Sequence, residues 1–292
     1  MKKLVLIDGN ALVHRAYHAL PKLTTKKGEL VNAVYGFTSI LLRVLNDLKP
    51  DYVAATFDLA GPTFRHEEFK DYKATRVKAP QELYDQLNRV KQVLTALNIP
   101  IYEKQGFEAD DVIGTLARQA SEEKESVETI IVTGDLDTLQ LVNEKVKVYT
   151  LKKGINDTIL YDRKAVFDRY GLSPEQMPDF KGLKGDPSDN IPGVPGIGDK
   201  TAAELLKEYK TIENLYENVG LLPQKIGNKL EEYKEQAVFS KYLATIKTDV
   251  LVRLDLSKCE LRDYNPEIVR RLFEKLEFSS LLKRLPKNGK KD

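Results

Sequence analysis

Nine acidic side chains in this chain are spaced as if to meet. Three apolar runs each stop at an aspartate: Leu4 to Asp8, Tyr52 to Asp58 and Thr129 to Asp135. Six further acids sit close by in sequence clusters, as Glu108-Ala109-Asp110-Asp111, Asp135-Leu136-Asp137 and Asp186-Pro187-Ser188-Asp189. Strands that end in acids put those acids along one edge of a parallel sheet, where α/β folds place their sites. So many carboxylates repel one another unless cations hold them together. The donors are hard oxygens, which favour Mg²⁺ or Mn²⁺ over Zn²⁺. One Mg²⁺ usually takes one or two carboxylates, so nine acids suit two ions about 3.5–4 Å apart, with some acids acting through water. That arrangement serves phosphodiester cleavage. Asp8, Asp58, Glu108, Asp110, Asp111, Asp135, Asp137, Asp186 and Asp189 are therefore the candidate metal and catalytic set.

Two other stretches carry chemistry. Gly193-Val194-Pro195-Gly196-Ile197-Gly198-Asp199-Lys200-Thr201 is a glycine-rich hairpin leading into a helix. Its glycines allow a phosphate close to backbone N–H groups, and the helix start adds positive potential. It reads as a helix–hairpin–helix element for the DNA backbone, with Lys200 and Thr201 adding contacts; the P-loop spacing is absent. Residues 64–78 interleave Arg65, Lys70, Lys73, Arg76 and Lys78 with Phe64, Phe69 and Tyr72. Cations there can hold phosphates while Tyr72 stacks on a base. Arg15, just past the first acidic strand, is placed to reach a phosphate near the metals. His14, His18 and His66 belong to no cluster and read as packing or hydrogen-bonding residues.

The elements that must position these residues alternate. Helices are expected near 10–19, 33–48, 80–97, 109–124 and 163–170, with strands ending at Asp8 and Asp58 and lying at 99–103, 129–134 and 146–151. This is a βαβ order around a mostly parallel sheet. Beyond residue 174, helices at 199–209, 212–218, 223–245 and 265–284 predict a helical region to residue 285. Residues 286–292 read as a basic tail or the start of a linker. A single cysteine excludes an internal disulfide and a thiolate metal site, and fits a reducing cytoplasm. No stretch approaches the ~20 apolar residues of a membrane helix. The +2 net charge conceals an asymmetry: 46 Lys and Arg face 44 acids, so with the nine neutralised the rest carries a surplus of 11 positive charges. A polyanionic partner suits that surface.

Taken in order, these motifs resemble the 5′-nuclease family, which comprises the N-terminal 5′→3′ exonuclease domain of bacterial DNA polymerase I and the flap endonucleases. The likeness runs from Leu6-Ile7-Asp8-Gly9-Asn10 through Phe57-Asp58 with Tyr72, Lys73 and Arg76, Glu108 to Gly114, Thr133 to Asp137 and Gly185 to Gly193. It ends at Leu243-Ala244-Thr245-Ile246-Lys247-Thr248-Asp249, a motif that looks specific to the polymerase branch. The resemblance implies an α/β fold: a PIN-like core at 1–174 with a helical arch at about 60–95, then a DNA-binding helical region at 175–285. It implies Mg²⁺-dependent, structure-specific hydrolysis near DNA 5′ ends, at flaps, nicks or recessed ends, in primer removal and repair. All nine acids match the family's acidic positions. Arg15, Tyr72, Lys73 and Arg76 fall where the family contacts the scissile region, and Lys73 and Arg76 are expected to be catalytic. The hairpin is expected to hold K⁺ through backbone carbonyls. A monomer is expected, with a DNA polymerase as partner in cis or in trans and no membrane. Two rival classes remain. A non-catalytic branched-DNA binder would leave gaps in the acidic set. Another Mg²⁺ phosphohydrolase would leave the glycine hairpin unexplained.

Overall fold

The computed structural model describes residues 1–286 except 124, 152, 153, 155, 156, 262 and 263. Apart from Pro286, the tail expected at 286–292 lies outside the described residues. Six strands form one sheet: β1 (Lys2–Asp8), β2 (Tyr52–Thr56), β3 (Ile101–Tyr102), β4 (Val127–Thr133), β5 (Val146–Leu151) and β6 (Thr158–Tyr161). Their order is β3-β2-β1-β4-β5-β6, and only the β5–β6 pairing is antiparallel. In the central register Ile7 lies between Ala55 of β2 and Val132 of β4.

The alternation of β1 shows why it is apolar throughout. Leu4 and Leu6 point into one apolar cluster, Val5 and Ile7 into another on the opposite face, and all four are buried. A parallel strand covered on both faces has no polar side to present. One face is covered by α1 (Gly9–Ala19), α2 (Asn32–Leu48) and, after the short α3 (Phe64–Glu68), by α4 (Gln81–Ala96). The other is covered by α5 (Ala109–Glu122) and α6 (Arg163–Tyr170). Close approach of α1 and α2 requires Gly36, since a Cβ there would meet the Ala16 Cβ at 2.6 Å. Each fully buried Leu or Phe in these layers is worth about 1.5–3 kcal/mol.

The helical region continues that second layer without a break in its core. It contains α7 (Met177–Lys184), α8 (Asp199–Tyr209), α9 (Ile212–Glu217), α10 (Gln224–Glu232), α11 (Lys234–Ala244) and α12 (Leu256–Cys259). Phe180, Leu206 and Leu230 share one cluster with Leu6, Leu116 and Ile131 of the sheet layer. The chain then returns to the first layer. α13 (Pro266–Lys275) and α14 (Ser279–Leu282) bury Val269, Phe273, Phe278 and Leu281 beside residues of α2 and α4.

Several elements differ from the sequence expectation. β2 stops at Thr56, two residues before Asp58. β6 was not expected; it is a four-residue edge strand whose Leu160 is exposed. The helix expected at 223–245 breaks at Tyr233, and the one at 265–284 breaks at Glu277, where φ is +60° and the turn buries Phe278. α7, also unforeseen, carries a lysine that the site uses.

Candidate active site

β1 lies between β2 and β4 in a strand order that reverses there, so the carboxyl ends of these strands open onto a crevice at the switch point. Asp8 closes β1 and caps α1, accepting from the Ala11 N–H at 3.0 Å and from the Thr133 hydroxyl at 2.6 Å. Asp58 accepts from the Ala109 N–H at 2.7 Å, which ties the loop after β2 to the start of α5. Glu108 is the N-cap of α5, and Asp110 and Asp111 lie in its first turn, where the helix dipole favours negative charge. Asp135 follows β4 and accepts from the Asp137 N–H at 2.9 Å.

Asp8, Asp58, Glu108, Asp110 and Asp135 line one cleft of about 700 Å³, together with Asn10, His14, Arg15, His18, Lys73 and Arg76. Beside it, carboxylate oxygens of Asp137, Asp186 and Asp189 come within 4.8 Å of one another. Among the described residues no second trio reaches that spacing, so the cleft acids are set more openly than the trio. Asp110 and Asp135 border both the cleft and the smaller space beside it.

The acids are not equivalent electrically. Burial, with Asp58 and Asp135 adding repulsion, pushes Asp8 up to about 7 despite its two hydrogen bonds. Burial and the repulsion of Asp135 push Asp137 up to about 6, even with Lys181 against it. Asp110 is held well above the usual carboxylate range by burial and by Asp8, Asp135 and Asp137. No donor from the described residues reaches the Asp110 carboxyl. Burial would raise Asp186 too, but Lys181 at 2.6 Å and Ser188 bring it down to about 2. Burial opposes the charge of Glu108 as well, yet Lys73 at 2.5 Å and Arg65 lower its pKa. Burial raises Asp8, Asp58, Asp110 and Asp137, whereas the cations against Glu108 and Asp186 bring those two down. An oxygen-only set with an unpartnered carboxylate at its centre fits divalent cations.

Eight of the nine acids expected from the sequence thus border one continuous site. Asp111 does not. It is fully buried, with both oxygens bound by the Arg65 guanidinium at 2.7 and 2.9 Å and further bonds from the Lys247 and Glu108 N–H groups. Its metal assignment is corrected to a buried ion pair. Arg65 is corrected with it. Its guanidinium also donates to the Leu243 and Thr245 carbonyls and is only 3% exposed, so it has no face for DNA. Tyr72 is likewise buried, donating toward Glu108 and Asp189 at 3.1 Å each, and offers no ring for base stacking. Lys73 and Arg76 do reach the site: Lys73 binds Glu108, and Arg76 binds Asp189. Arg15 lines the cleft and donates to the Leu151 carbonyl at 3.1 Å.

In the hairpin, Gly193 is buried, because a Cβ there would meet the Gly185 nitrogen at 2.1 Å. It serves backbone packing rather than phosphate contact. Gly196, Gly198 and Lys200 are exposed and Thr201 is half-buried at the start of α8. His66 caps Thr63 as a hydrogen-bonding residue, whereas His14 and His18 line the cleft. Sequence reasoning missed Lys181, whose ammonium sits between Asp137 and Asp186. Its only signal was a lysine five residues before an acidic turn.

A mostly parallel sheet that gathers acids at its switch point, backed by a helical region with a glycine hairpin, defines a PIN-like α/β fold with a helical companion region. The chain belongs to the 5′-3′ exonuclease family: the N-terminal resolvase-like domain model matches residues 3–171, and the C-terminal SAM-fold model matches residues 172–267. DNA polymerase I of Bacillus subtilis is 47% identical over 285 residues, covering 97% of this chain and 32% of that protein. DNA polymerase I of Chloroflexus aurantiacus is 50% identical over 291 residues, covering 97% and 31%. The chain therefore spans about a third of the length of these curated relatives. Among solved structures, a T5 5′-exonuclease with bound zinc ions superposes with a TM-score of 0.69 at 20% identity, covering 94% of this chain and 99% of that one. The catalytic core of Rad2 in complex with DNA substrate gives 0.61 at 16% identity, covering 94% and 87%. At those identities the likeness is one of fold. No helix among the described residues is long and apolar enough to cross a membrane.

Proposed function

We propose that this chain hydrolyses DNA phosphodiesters near 5′ ends, at flaps, nicks or recessed ends, using Mg²⁺ or Mn²⁺ held by the cleft acids and the Asp137, Asp186 and Asp189 trio. The observation that carries this reading is the buried Asp110 carboxyl, without a donor among the described residues and facing the charges of Asp8, Asp135 and Asp137, beside a trio already at ligand spacing. Bound divalent cations would supply Lewis-acid stabilisation of the phosphoryl charge and a more acidic attacking water.

The chain's own residues do the rest. Lys73 and Arg76, fixed to Glu108 and Asp189, present positive charge at the cleft wall and hold the scissile phosphate. Arg15, which also lines the cleft, holds a neighbouring phosphate. Of the arch expected at 60–95, α4 packs into the first layer through Leu83, Val90, Val93 and Leu94, so only the stretch before Gln81 is left to act as the arch that admits single-stranded DNA. Gly196, Gly198, Lys200 and Thr201 hold the duplex backbone, with K⁺ at the hairpin carbonyls. The division into a nuclease core at 1–174 and a DNA-binding region at 175–285 belongs to the same proposal. So do a monomeric state, action in the bacterial cytoplasm in primer removal and repair, and a DNA polymerase in cis or in trans.

The test is cleavage of a 5′-flap duplex in Mg²⁺. Cutting is expected, with complete loss in EDTA and in the double variant Asp135→Ala/Asp186→Ala. Full-strength flap binding without any cutting by the unaltered protein would instead make it a binding module.

A further inference from the structure

The segment 243–250 has no regular secondary structure beyond Ala244, yet side chains from elsewhere hold its backbone at several points. The Leu243 and Thr245 carbonyls accept from Arg65 at 2.8 and 2.9 Å. The Lys247 N–H donates to Asp111 at 2.8 Å, and the Val250 N–H to the Thr115 hydroxyl at 3.1 Å. Between them sits Gln140, on the short 3-10 turn Asp137–Leu141 that begins with a site acid. Its amide nitrogen donates to the Asp137 carbonyl and to the Ala244 carbonyl, each at 3.0 Å. Its amide oxygen accepts from the Ile246 N–H at 2.9 Å. A carboxamide has two donor hydrogens and one oxygen, and here every part is used.

We infer that Gln140 is a positioning residue for the Asp137, Asp186 and Asp189 trio, and that the strap 243–250 is the fixed frame it positions against. Gln140 is the one side chain among those gripping the strap that also holds the backbone of a trio acid. The strap leads out of α11, which packs on α7, and α7 carries the Lys181 that contacts both Asp137 and Asp186. Asp137 is therefore set from two sides: by Lys181 on its carboxylate and by Gln140 on its carbonyl. Without the Gln140 bridge the turn loses its registration to the strap, and the Asp137 carboxylate drifts from the other two. Groups that orient a ligand from behind typically change metal affinity by about 10–100-fold when removed.

The inference rests on reading the trio as a cation site, and the experiment separates the two ideas. Mn²⁺ binding to the DNA-free protein is followed by electron paramagnetic resonance and by calorimetry, in three proteins: unaltered, Gln140→Leu and Thr115→Val. Thr115→Val cuts another buried anchor of the strap while leaving the Asp137 turn alone. The unaltered protein should bind at least two Mn²⁺. Gln140→Leu should weaken one of them about tenfold and leave the other unchanged, whereas Thr115→Val should lower the melting temperature and leave both affinities unchanged. Gln140→Asn, which keeps an amide too short to span both carbonyls, should behave as Gln140→Leu, and replaces it if that variant does not fold. Equal Mn²⁺ shifts in the Gln140 and Thr115 variants, or no shift in a folded Gln140 variant, would overturn the positioning role alone. Fewer than two Mn²⁺ on the unaltered protein would overturn the trio reading as well.

Discussion

At the scale of single residues, the site is a contest between like charges, and the contest has a sign that can be measured. Asp8 is raised to about 7 and Asp137 to about 6, both above an unfolded carboxylate near 4. A folded-state pKa raised in this way contributes stability that is fully present below pH 4 and is lost as pH rises through the folded value. Metal-free protein should therefore melt at a lower temperature at pH 8 than at pH 5.5, and excess Mg²⁺ should shrink that difference. A melting temperature in EDTA that is flat or rising from pH 5.5 to 8 would contradict the assignment. Asp186, brought down to about 2 by Lys181, contributes the other way, and its part is lost only in strong acid. Asp110→Asn removes the charge with no protein partner. It should raise the melting temperature in EDTA while lowering the cleavage rate by about 10²-fold or more, the usual conflict between stability and a strained site. A variant that lost stability instead would show that Asp110 is not repelled by its neighbours.

At the scale of elements, the ion pair between Arg65 of α3 and Asp111 of α5 fastens the root of the arch to the helix that carries Glu108 and Asp110. Arg65→Met leaves Asp111 buried and uncompensated, and should cost about 3–5 kcal/mol in urea unfolding. Adding Asp111→Leu should recover much of that loss; no recovery would mean that the carbonyl bonds of Arg65 dominate. Beyond this anchor, Lys73→Ala and Arg76→Ala should slow flap cleavage more than they weaken duplex binding, since both side chains face the cleft. Equal losses would place them in binding alone. The elements also show what a sequence can and cannot disclose. Asp8 at the end of β1 and Asp135 two residues past β4 were legible because an apolar run that stops at an acid is a local signal. The fate of Arg65, Tyr72 and Asp111 was not, because burial depends on what packs above a residue. A basic-aromatic stretch reads the same whether it faces DNA or a row of carboxylates. Gly193 was misassigned for a similar reason: its neighbour Gly185 is close in space through a turn that spacing alone does not define.

At the scale of the whole molecule, the active edge is built by one sheet but braced by segments far along the chain. α13 and α14 return to the first layer, where Phe273 and Phe278 are fully buried beside α2 and α4. Phe273→Ala should cost about 3–5 kcal/mol of stability in urea unfolding without altering the Mg²⁺ dependence of cleavage. A change in that dependence would mean that the far layer reaches the acids. The alternation of strand and helix made the sheet readable from the sequence, and the acids made its active edge readable. The division of those acids into an open cleft and a tight trio emerged only from the fold, because it depends on how α7 and the turn closed between Asp186 and Ile191 place Lys181, Asp186 and Asp189. If these carboxylates share divalent cations, anomalous scattering from crystals grown with Mn²⁺ will locate the ions. Two peaks are predicted, one among Asp8, Asp110 and Asp135 and one among Asp137, Asp186 and Asp189. An ordered protein with no peak at either place would contradict that sharing.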